Sequence, residues 1–144
     1  LIRRQRQMCI RDRYYNSSID SSPNRTIHTL SVFRENVVLI AGGKDKNIPY
    51  DALGPAICGK VKTLILVGPT SDKIEAAVRA ADSSQKDMIK IYHFKNYADA
   101  VKCAYENSVP GDTVLLSPAS TSFDLFRNFE ERGDVFKSLV RALE

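Results

Sequence analysis

Short runs of consecutive apolar residues recur along this chain, and each run ends at glycine, proline or a polar turn. Val37–Ala41 is followed by two glycines, and residues 63–67 are followed by a Gly-Pro pair. Residues 89–94 and 113–116 are similar runs, and Arg13–Asn16 is predicted to be a short first strand. Because these runs lack the polar alternation of a half-exposed strand, they predict strands covered on both faces, as in a parallel sheet.

Segments with helical periodicity lie between the apolar runs. Ser22 followed by Pro23 predicts one helix start, and Asn96 predicts another, because these side chains satisfy the free N–H groups of a first turn. The predicted apolar helix faces are Ile74, Ala77, Val78 and Ala81; Tyr97, Ala100, Val101 and Ala104; and Phe136, Leu139, Val140 and Leu143. Alternating strands and helices predict an α/β fold, with a doubly wound, mostly parallel sheet and helices on both faces.

The positive charge of the chain is concentrated at its N-terminal end. The 144 residues carry a formal net charge of +4, but residues 1–13 contain five arginines and a single acid, Asp12. The remaining 16 basic and 16 acidic residues balance, so residues 14–144 have no excess positive charge with which to bind a nucleic-acid backbone. We therefore predict a disordered or non-native basic tail over residues 1–13, one globular domain over residues 14–144, and no nucleic-acid partner.

The cysteine and histidine positions predict neither a disulfide framework nor a metal site. Cys9, Cys58 and Cys103 are far apart, and His28 and His93 lack the spacing of metal ligands. Cys58 and Cys103 fall in apolar helical patterns, where buried, reduced thiols are expected. No apolar run reaches membrane-spanning length and no signal-peptide core is present, so we expect a cytoplasmic protein with no membrane partner.

Three small, polar segments follow strands whose carboxyl ends are predicted to share one edge of the sheet. They are residues 16–22, 42–47 and 117–123, and doubly wound sheets bind ligands at this edge. In the second segment, Lys44 and Lys46 are either solvated lysines or the source of an ammonium group that binds a carboxylate in the crevice.

The hydroxyl-rich residues 120–122 lie at the predicted entrance of a helix that starts near Phe123. Hydroxyl and backbone N–H groups at a helix entrance can bind a carboxylate. A simple Ser/Thr cap would use the same residue types. The chain has neither a GxxxxGK[ST] loop nor a GxGxxG motif, so these features alone predict an anionic ligand without naming it.

Residues 115–136 read LLSPASTSFDLFRNFEERGDVF and resemble the C-terminal signature of the Mur ligase family, in the branch that adds D-glutamate to UDP-N-acetylmuramoyl-L-alanine. The D-glutamate-binding residues that this resemblance implies are Lys46, Ser122, Phe123, Phe129 and Ser21. Phe126 is expected to pack in the core. The charged side chains expected to form a solvated helix face without a chemical role are Asp124, Arg127, Glu130, Glu131 and Arg132.

Residues 14–26, YYNSSIDSSPNRT, resemble the family's strand-to-helix motif and imply that Asn16 and Ser17 face the nucleotide. The match departs from the family in two places. Ser17 stands where the family usually has aspartate, and Asp20 stands where a small residue is common. The departure at Ser17 weakens the expected nucleotide contact.

The resemblance covers residues 14–144 and implies the C-terminal domain of a three-domain ligase, whose N-terminal UDP-binding and central ATPase domains are expected to act in cis. Such a ligase uses ATP and Mg²⁺ to phosphorylate the alanine carboxylate, and the D-glutamate amine attacks the acyl phosphate. The chain is expected to supply the D-glutamate pocket and part of the ATP cleft. It is expected to contain no catalytic residue or metal ligand and to be inactive alone.

Other functions remain open at this point. A sibling Mur ligase or a folylpolyglutamate synthetase-like ligase domain is the nearest enzyme alternative. A non-catalytic α/β ligand-binding domain, such as a receiver-like module, is a second possibility. Such a module would need an acidic cluster at the strand ends, where this chain has only Asp45. A nucleic-acid binder is a third, and it depends entirely on the basic tail.

Overall fold

Five parallel strands form a single sheet with helices on both faces, which confirms the predicted fold class. The computed structural model describes residues 13–34, 36–81, 89–109, 111–122 and 126–143. The strands are β1 (Arg13–Asn16), β2 (Val37–Ala41), β3 (Val61–Val67), β4 (Lys90–Phe94) and β5 (Thr113–Leu116). The helices are α1 (Pro23–Leu30), α2 (Leu53–Lys60), α3 (Ser71–Ala81), α4 (Tyr97–Asn107) and α5 (Phe129–Ala142). The sheet order is β1-β5-β2-β3-β4.

Successive side chains of the central strands point into two different apolar cores. Leu39 and Leu115 pack in the core beneath α1, α2 and α3. Ile40 and Leu116 pack in the core beneath α4 and α5. Because both faces of the sheet are covered, both sets of strand residues must be apolar. This arrangement explains the uninterrupted apolar runs of the sequence.

Most element boundaries agree with the sequence prediction. β1, β2 and β5 have the predicted bounds, whereas β3 begins at Val61, two residues before the predicted start. The Ser22 hydroxyl accepts the N–H of Arg25 at 3.4 Å, and the Asn96 side chain accepts the N–H of Asp99 at 2.8 Å. Both predicted caps are therefore present.

The start of α5 differs from the prediction. A helix was expected to begin near Phe123, but α5 begins at Phe129. Asn128 has an extended backbone, and its side-chain oxygen accepts the N–H of Glu131 at 2.9 Å. This cap sets the helix start after the hydroxyl-rich segment, because it satisfies a first-turn donor at that point. Residues 120–122 therefore do not form the first turn of α5 or its cap.

Residues 1–12 of the predicted tail lie outside the described residues, and β1 begins at Arg13. Cys103 is a buried, reduced thiol as expected, whereas the reduced thiol of Cys58 is only half-buried. Among the described helices, none combines the length and apolar character needed to cross a membrane.

β2 and β5 are neighbours in the sheet, but the helices that follow them lie on opposite faces. Such a pair of strands marks the switch point of a doubly wound sheet, where diverging connections leave a crevice at the carboxyl ends. We name three of the connections that begin at this edge: the β1 loop (residues 17–22), the β2 loop (residues 42–47) and the β5 loop (residues 117–122).

Candidate functional site

The three polar loops predicted to meet at one edge of the sheet are in direct contact. The N–H of Ala119 in the β5 loop donates to the carbonyl of Asp20 in the β1 loop at 3.0 Å. The N–H of Lys44 in the β2 loop donates to the carbonyl of Thr121 at 2.9 Å. These bonds confirm that the loops converge, because each one joins residues from different strand ends.

Lys46 and Ser122 flank the point where the β2 and β5 loops pair. Lys44 and Thr121 form an antiparallel bridge. The chain therefore runs in opposite directions from the bridge toward Lys46 and toward Ser122. Lys46 is exposed and Ser122 is half-buried. A ligand that contacts both side chains has to span the bridge, and the D-glutamate role of the two residues stays a prediction.

Buried hydroxyl groups hold the β5 loop against the β2 loop. The Ser120 hydroxyl lies 3.0 Å from the Tyr50 hydroxyl and 2.9 Å from the Thr70 hydroxyl. Thr70 in turn accepts the N–H of Gly43 at 2.9 Å. Because these polar groups are buried and mutually hydrogen-bonded, they fix the relative position of the two loops.

A cleft of about 360 Å³ lies beside the β1 loop. Its lining comprises Asn16, Ser17, Ser18, Ile19, Arg25, Phe129, Glu130, Gly133, Asp134 and Lys137. The predicted site residues Asn16, Ser17 and Phe129 are thus brought together, and the Phe129 side chain is 38% exposed. Lys46, Ser122 and Ser21 lie outside this lining. Asn16, Ser17 and Phe129 therefore form one group at the cleft, Lys46 and Ser122 form a second group at the loop bridge, and Ser21 belongs to neither.

Ser17 and Asp20, where the sequence departs from the family, contact each other. Asp20 is 2% exposed, and its Oδ2 accepts hydroxyl hydrogen bonds from Ser17, Thr29 and Ser117, each at 2.7 Å. A buried carboxylate requires such donors, because it has lost its hydration. The Ser17 hydroxyl is therefore engaged within the protein, and its predicted contact with a nucleotide stays untested.

Arg132 was expected on a solvated helix face, but it is fully buried. Its Nε donates to the Ser18 hydroxyl at 2.9 Å, its Nη2 to the Ser18 carbonyl at 2.6 Å, and its Nη1 to the Ser120 carbonyl at 3.0 Å. Burial lowers the pKa of Arg132, and the nearby Tyr97 and Asp20 oppose that decrease. The sequence contained a signal, because Arg132 lies four residues before the core residue Phe136 and so shares its helix face.

The aromatic residues of the signature have different environments. Phe126 packs edge-on against Tyr97, with ring centroids 5.1 Å apart, which agrees with the expected core position. Phe129 is in the first turn of α5 at the cleft. Phe123 and Asp124 lie outside the described residues. Burial raises the pKa of Tyr97 to about 12, so its phenol is neutral at pH 7.

A second group of polar side chains lies away from these loops. Asp72, Glu75 and His93 have potential ligand atoms within 4.8 Å of one another. His93 Nε2 lies 2.6 Å from Glu75 Oε1, and Arg79 Nη2 lies 2.6 Å from Glu75 Oε2. Glu75 is thus already paired on both carboxylate oxygens. We assign the group a structural role, in which the Glu75–His93 hydrogen bond joins α3 to β4.

Comparison with known proteins identifies close relatives of this chain. The family described as Mur ligase, glutamate ligase domain, matches residues 15–120. A UDP-N-acetylmuramoylalanine–D-glutamate ligase of Ruminiclostridium cellulolyticum is 53% identical over 135 residues, which are 92% of this chain and 29% of that protein. The ligase of the same name from Acetivibrio thermocellus is 52% identical over 134 residues, again 92% of this chain and 29% of the relative. The chain therefore spans about 29% of the length of these curated relatives.

A solved structure shares the fold. The crystal structure of a murein peptide ligase from Psychrobacter arcticus superposes with a TM-score of 0.56 and covers 96% of this chain and 30% of that one. The sequence identity is 12%. At this identity the likeness supports the architecture and carries no information on the ligand.

Proposed function

This chain belongs to the Mur ligase family, whose glutamate ligase domain it contains, and we propose that it binds D-glutamate within a ligase that joins D-glutamate to UDP-N-acetylmuramoyl-L-alanine. Relatives with this ligase name are 53% and 52% identical to the chain. We further propose that residues 14–144 act as the C-terminal domain of that ligase, together with UDP-binding and ATPase domains in cis. Its nucleotide substrates place the proposed reaction in the cytoplasm.

The observation that carries the proposal is the pairing of the β2 and β5 loops. It places the Lys46 segment and the Ser122 segment on the two sides of one backbone bridge. An ammonium group attracts a carboxylate, and hydroxyl and N–H groups hydrogen-bond to one. D-glutamate has two carboxylates separated by a short chain, so one can bind Lys46 while the other is oriented by Ser122 and its neighbours.

The proposed reaction requires an activated acid, because a carboxylate is a poor electrophile. ATP as a substrate transfers its terminal phosphoryl group to the alanine carboxylate, and ADP is the leaving group. The neutral amine of D-glutamate attacks the carbonyl carbon, the C–N bond forms, phosphate leaves and the amine loses a proton. The contribution proposed for this chain is to hold the amine near the acyl phosphate, which makes the attack effectively intramolecular. We assign no general base to its residues.

The cleft beside the β1 loop is the proposed nucleotide-facing surface. Asn16 packs against Gly133, where a Cβ atom would come within 2.8 Å of Asn16 Nδ2, so the small residue leaves space for the amide. Arg25 and Lys137 contribute positive charge to the lining, and Glu130 and Asp134 contribute negative charge. Among the described residues, no group of three metal-ligating side chains lies in this lining. We therefore assign no magnesium site to this lining and derive no step through that ion.

Lys46→Ala in the ligase that carries this domain tests the D-glutamate assignment. Removing the ammonium group is expected to raise the KM for D-glutamate by about 10- to 100-fold, since a charge-assisted hydrogen bond contributes about 1.5–3 kcal/mol. The KM for ATP should stay within about twofold of the wild-type value. Initial rates measured against each substrate in turn give both constants.

Lys90→Ala is the matched control, because Lys90 is an exposed lysine on β4 at the opposite edge of the sheet. It should leave both constants unchanged. An equal rise of the D-glutamate and ATP constants in Lys46→Ala would remove Lys46 from the proposed role.

A further inference from the structure

A contribution to the stability of the protein does not by itself explain why an arginine is buried at position 132. Its side chain has no exposed surface, and three of its N–H groups reach oxygens of Ser18 and Ser120. Removing a guanidinium from water is costly, and apolar side chains of similar volume often replace buried charges without loss of stability. An arginine at this position therefore calls for a geometric explanation, which its planar array of donors offers.

The guanidinium joins the two groups of predicted site residues. On the cleft side it binds the Ser18 hydroxyl and carbonyl, and the same hydroxyl donates to the carbonyl of Phe129 at 2.7 Å. On the bridge side it binds the carbonyl of Ser120 at 3.0 Å. The Ser120 hydroxyl is hydrogen-bonded to the Thr70 hydroxyl, which accepts the N–H of Gly43. Hydrogen bonds therefore link Phe129 to the β2 loop that carries Lys46, through both the carbonyl and the hydroxyl of Ser120, and all of them are buried except the part-buried bond to Phe129.

The backbone at this junction is held in a conformation that needs support. Ala119 is buried with a φ of 59°, in the left-handed region that L residues with a side chain rarely adopt. Its N–H donates to the Asp20 carbonyl, and the next residue, Ser120, accepts from Arg132. Such conformations persist where the surrounding contacts over-determine them. The Arg132 bond is one of those contacts.

We propose that Arg132 is a positioning residue that sets the separation between the β1 and β5 loops, and thereby the fit of D-glutamate between Phe129 and the Lys46–Ser122 side. The identity of the ligand rests on the proposed function. The coupling of the two loops does not, because it follows from hydrogen bonds within the protein, to which Arg132 contributes the bonds to Ser18 and Ser120. Lysine cannot replace arginine here, since one ammonium group cannot reach both loops with the geometry of a planar fork.

Arg132→Lys in the ligase that carries this domain is the first test. The KM for D-glutamate is expected to rise about 10- to 100-fold, because small misplacements of binding groups have effects of this size. The KM for ATP should remain within about twofold of the wild-type value. General destabilisation of the domain would not raise the KM for D-glutamate and leave the KM for ATP unchanged. Arg127→Lys is the matched control, because Arg127 is exposed and pairs with Glu131 on the same segment, so both constants should be unchanged.

Amide hydrogen exchange supplies a readout that does not depend on the substrate. In Arg132→Lys, exchange should accelerate together in the β1 and β5 loops and stay at the wild-type rate in β3. If wild-type ligase does not use D-glutamate, the proposed function fails, and the exchange result still decides the role of Arg132. Unchanged exchange in both loops, or faster exchange throughout the domain, would overturn the inference.

Ser18→Ala keeps the inference testable should Arg132→Lys fail to fold. It removes the hydroxyl between Arg132 Nε and the Phe129 carbonyl but leaves the guanidinium bonds to the Ser18 and Ser120 carbonyls. A folded Ser18→Ala protein should show a smaller rise in the D-glutamate KM with the same insensitivity to ATP. A D-glutamate KM within about twofold of wild type in every one of the two variants that folds would also overturn the inference.

Discussion

Single residues at the carboxyl edge of the sheet determine how closely the loops approach. Gly43 lies against the β5 loop, where a Cβ atom would overlap the carbonyl oxygen of Thr121 and lie 3.0 Å from Ser120 Cβ. Its N–H and carbonyl are both bonded to Thr70. The residue is therefore held on two sides, and its small size has a steric reason rather than a conformational one.

Gly43→Ala is expected to destabilise the protein by about 1–3 kcal/mol, the usual cost of inserting a group into a packed site. The added methyl group must displace the Thr121 backbone or break the Gly43–Thr70 bonds. Urea unfolding followed by circular dichroism measures the change in the free energy of unfolding.

Gly59→Ala is the control for this substitution. Gly59 is in α2, and a Cβ atom there has no neighbour within 4 Å. Because alanine loses less conformational freedom than glycine in a helix, the variant should be more stable by about 0.5–1 kcal/mol. Equal effects of the two substitutions would contradict the steric account of Gly43.

At the scale of elements, polar side chains connect the helices to their neighbouring strands. Glu75 of α3 binds Arg79 on its own helix and His93 of β4. Partial burial acts to raise the pKa of Glu75, but the hydrogen bonds from Arg79 and His93 outweigh it and hold the pKa below its ordinary value of 4.5. The ionised carboxylate is therefore favoured in the folded state.

The direction of this shift predicts a pH dependence of stability. A carboxylate with a depressed pKa in the folded state stabilises the protein above its unfolded pKa, and the stabilisation is lost as the pH falls through the folded pKa. Glu75→Gln should thus lower the free energy of unfolding by about 0.5–1 kcal/mol at pH 7, a range typical of partly exposed pairs. The difference from wild type should disappear well below pH 4.5.

Urea midpoints at several pH values between 7 and 3 measure this convergence. Glu106→Gln, at an exposed glutamate of α4, is the control and should differ little from wild type throughout. A gap between wild type and Glu75→Gln that stayed constant down to pH 3 would exclude the ion-pair explanation.

At the scale of the whole molecule, the strand order determines which loops can form a site. β5 lies between β1 and β2, so loops that are far apart in sequence become neighbours. The same order separates β4, at the far edge, from the candidate site. The net positive charge of the chain lies elsewhere. Residues 14–144 carry equal numbers of basic and acidic side chains, and the excess of basic side chains is in residues 1–13.

This distribution predicts that any nucleic-acid binding by the chain depends on its first residues. Deleting residues 1–12, which retains Arg13 in β1, should preserve the folded circular dichroism spectrum and abolish binding of a short single-stranded RNA at low salt. A full-length variant with Arg3, Arg4, Arg6 and Arg11 changed to Gln separates charge from length and should behave like the deletion. RNA affinity that survives both changes would restore the nucleic-acid hypothesis.

The amino-acid sequence determined by itself the features that depend on neighbouring residues. Apolar runs predicted the strands, the Ser22 and Asn96 caps predicted two helix starts, and the polar segments after the strands predicted the edge where the loops meet. These signals are local, because backbone conformation and the exposed face of an element follow from residues a few positions apart.

Only the tertiary structure decided which polar residues are buried and what they contact. Arg132 appears in a run of charged residues, yet it is buried because Ser18, 114 positions away, and Ser120 supply its acceptors. Asp20 is likewise buried with a hydroxyl from Ser117, 97 positions away. A charged side chain can leave water only where such partners are assembled. That assembly depends on the order of the strands in the sheet, which periodicity along the chain does not encode.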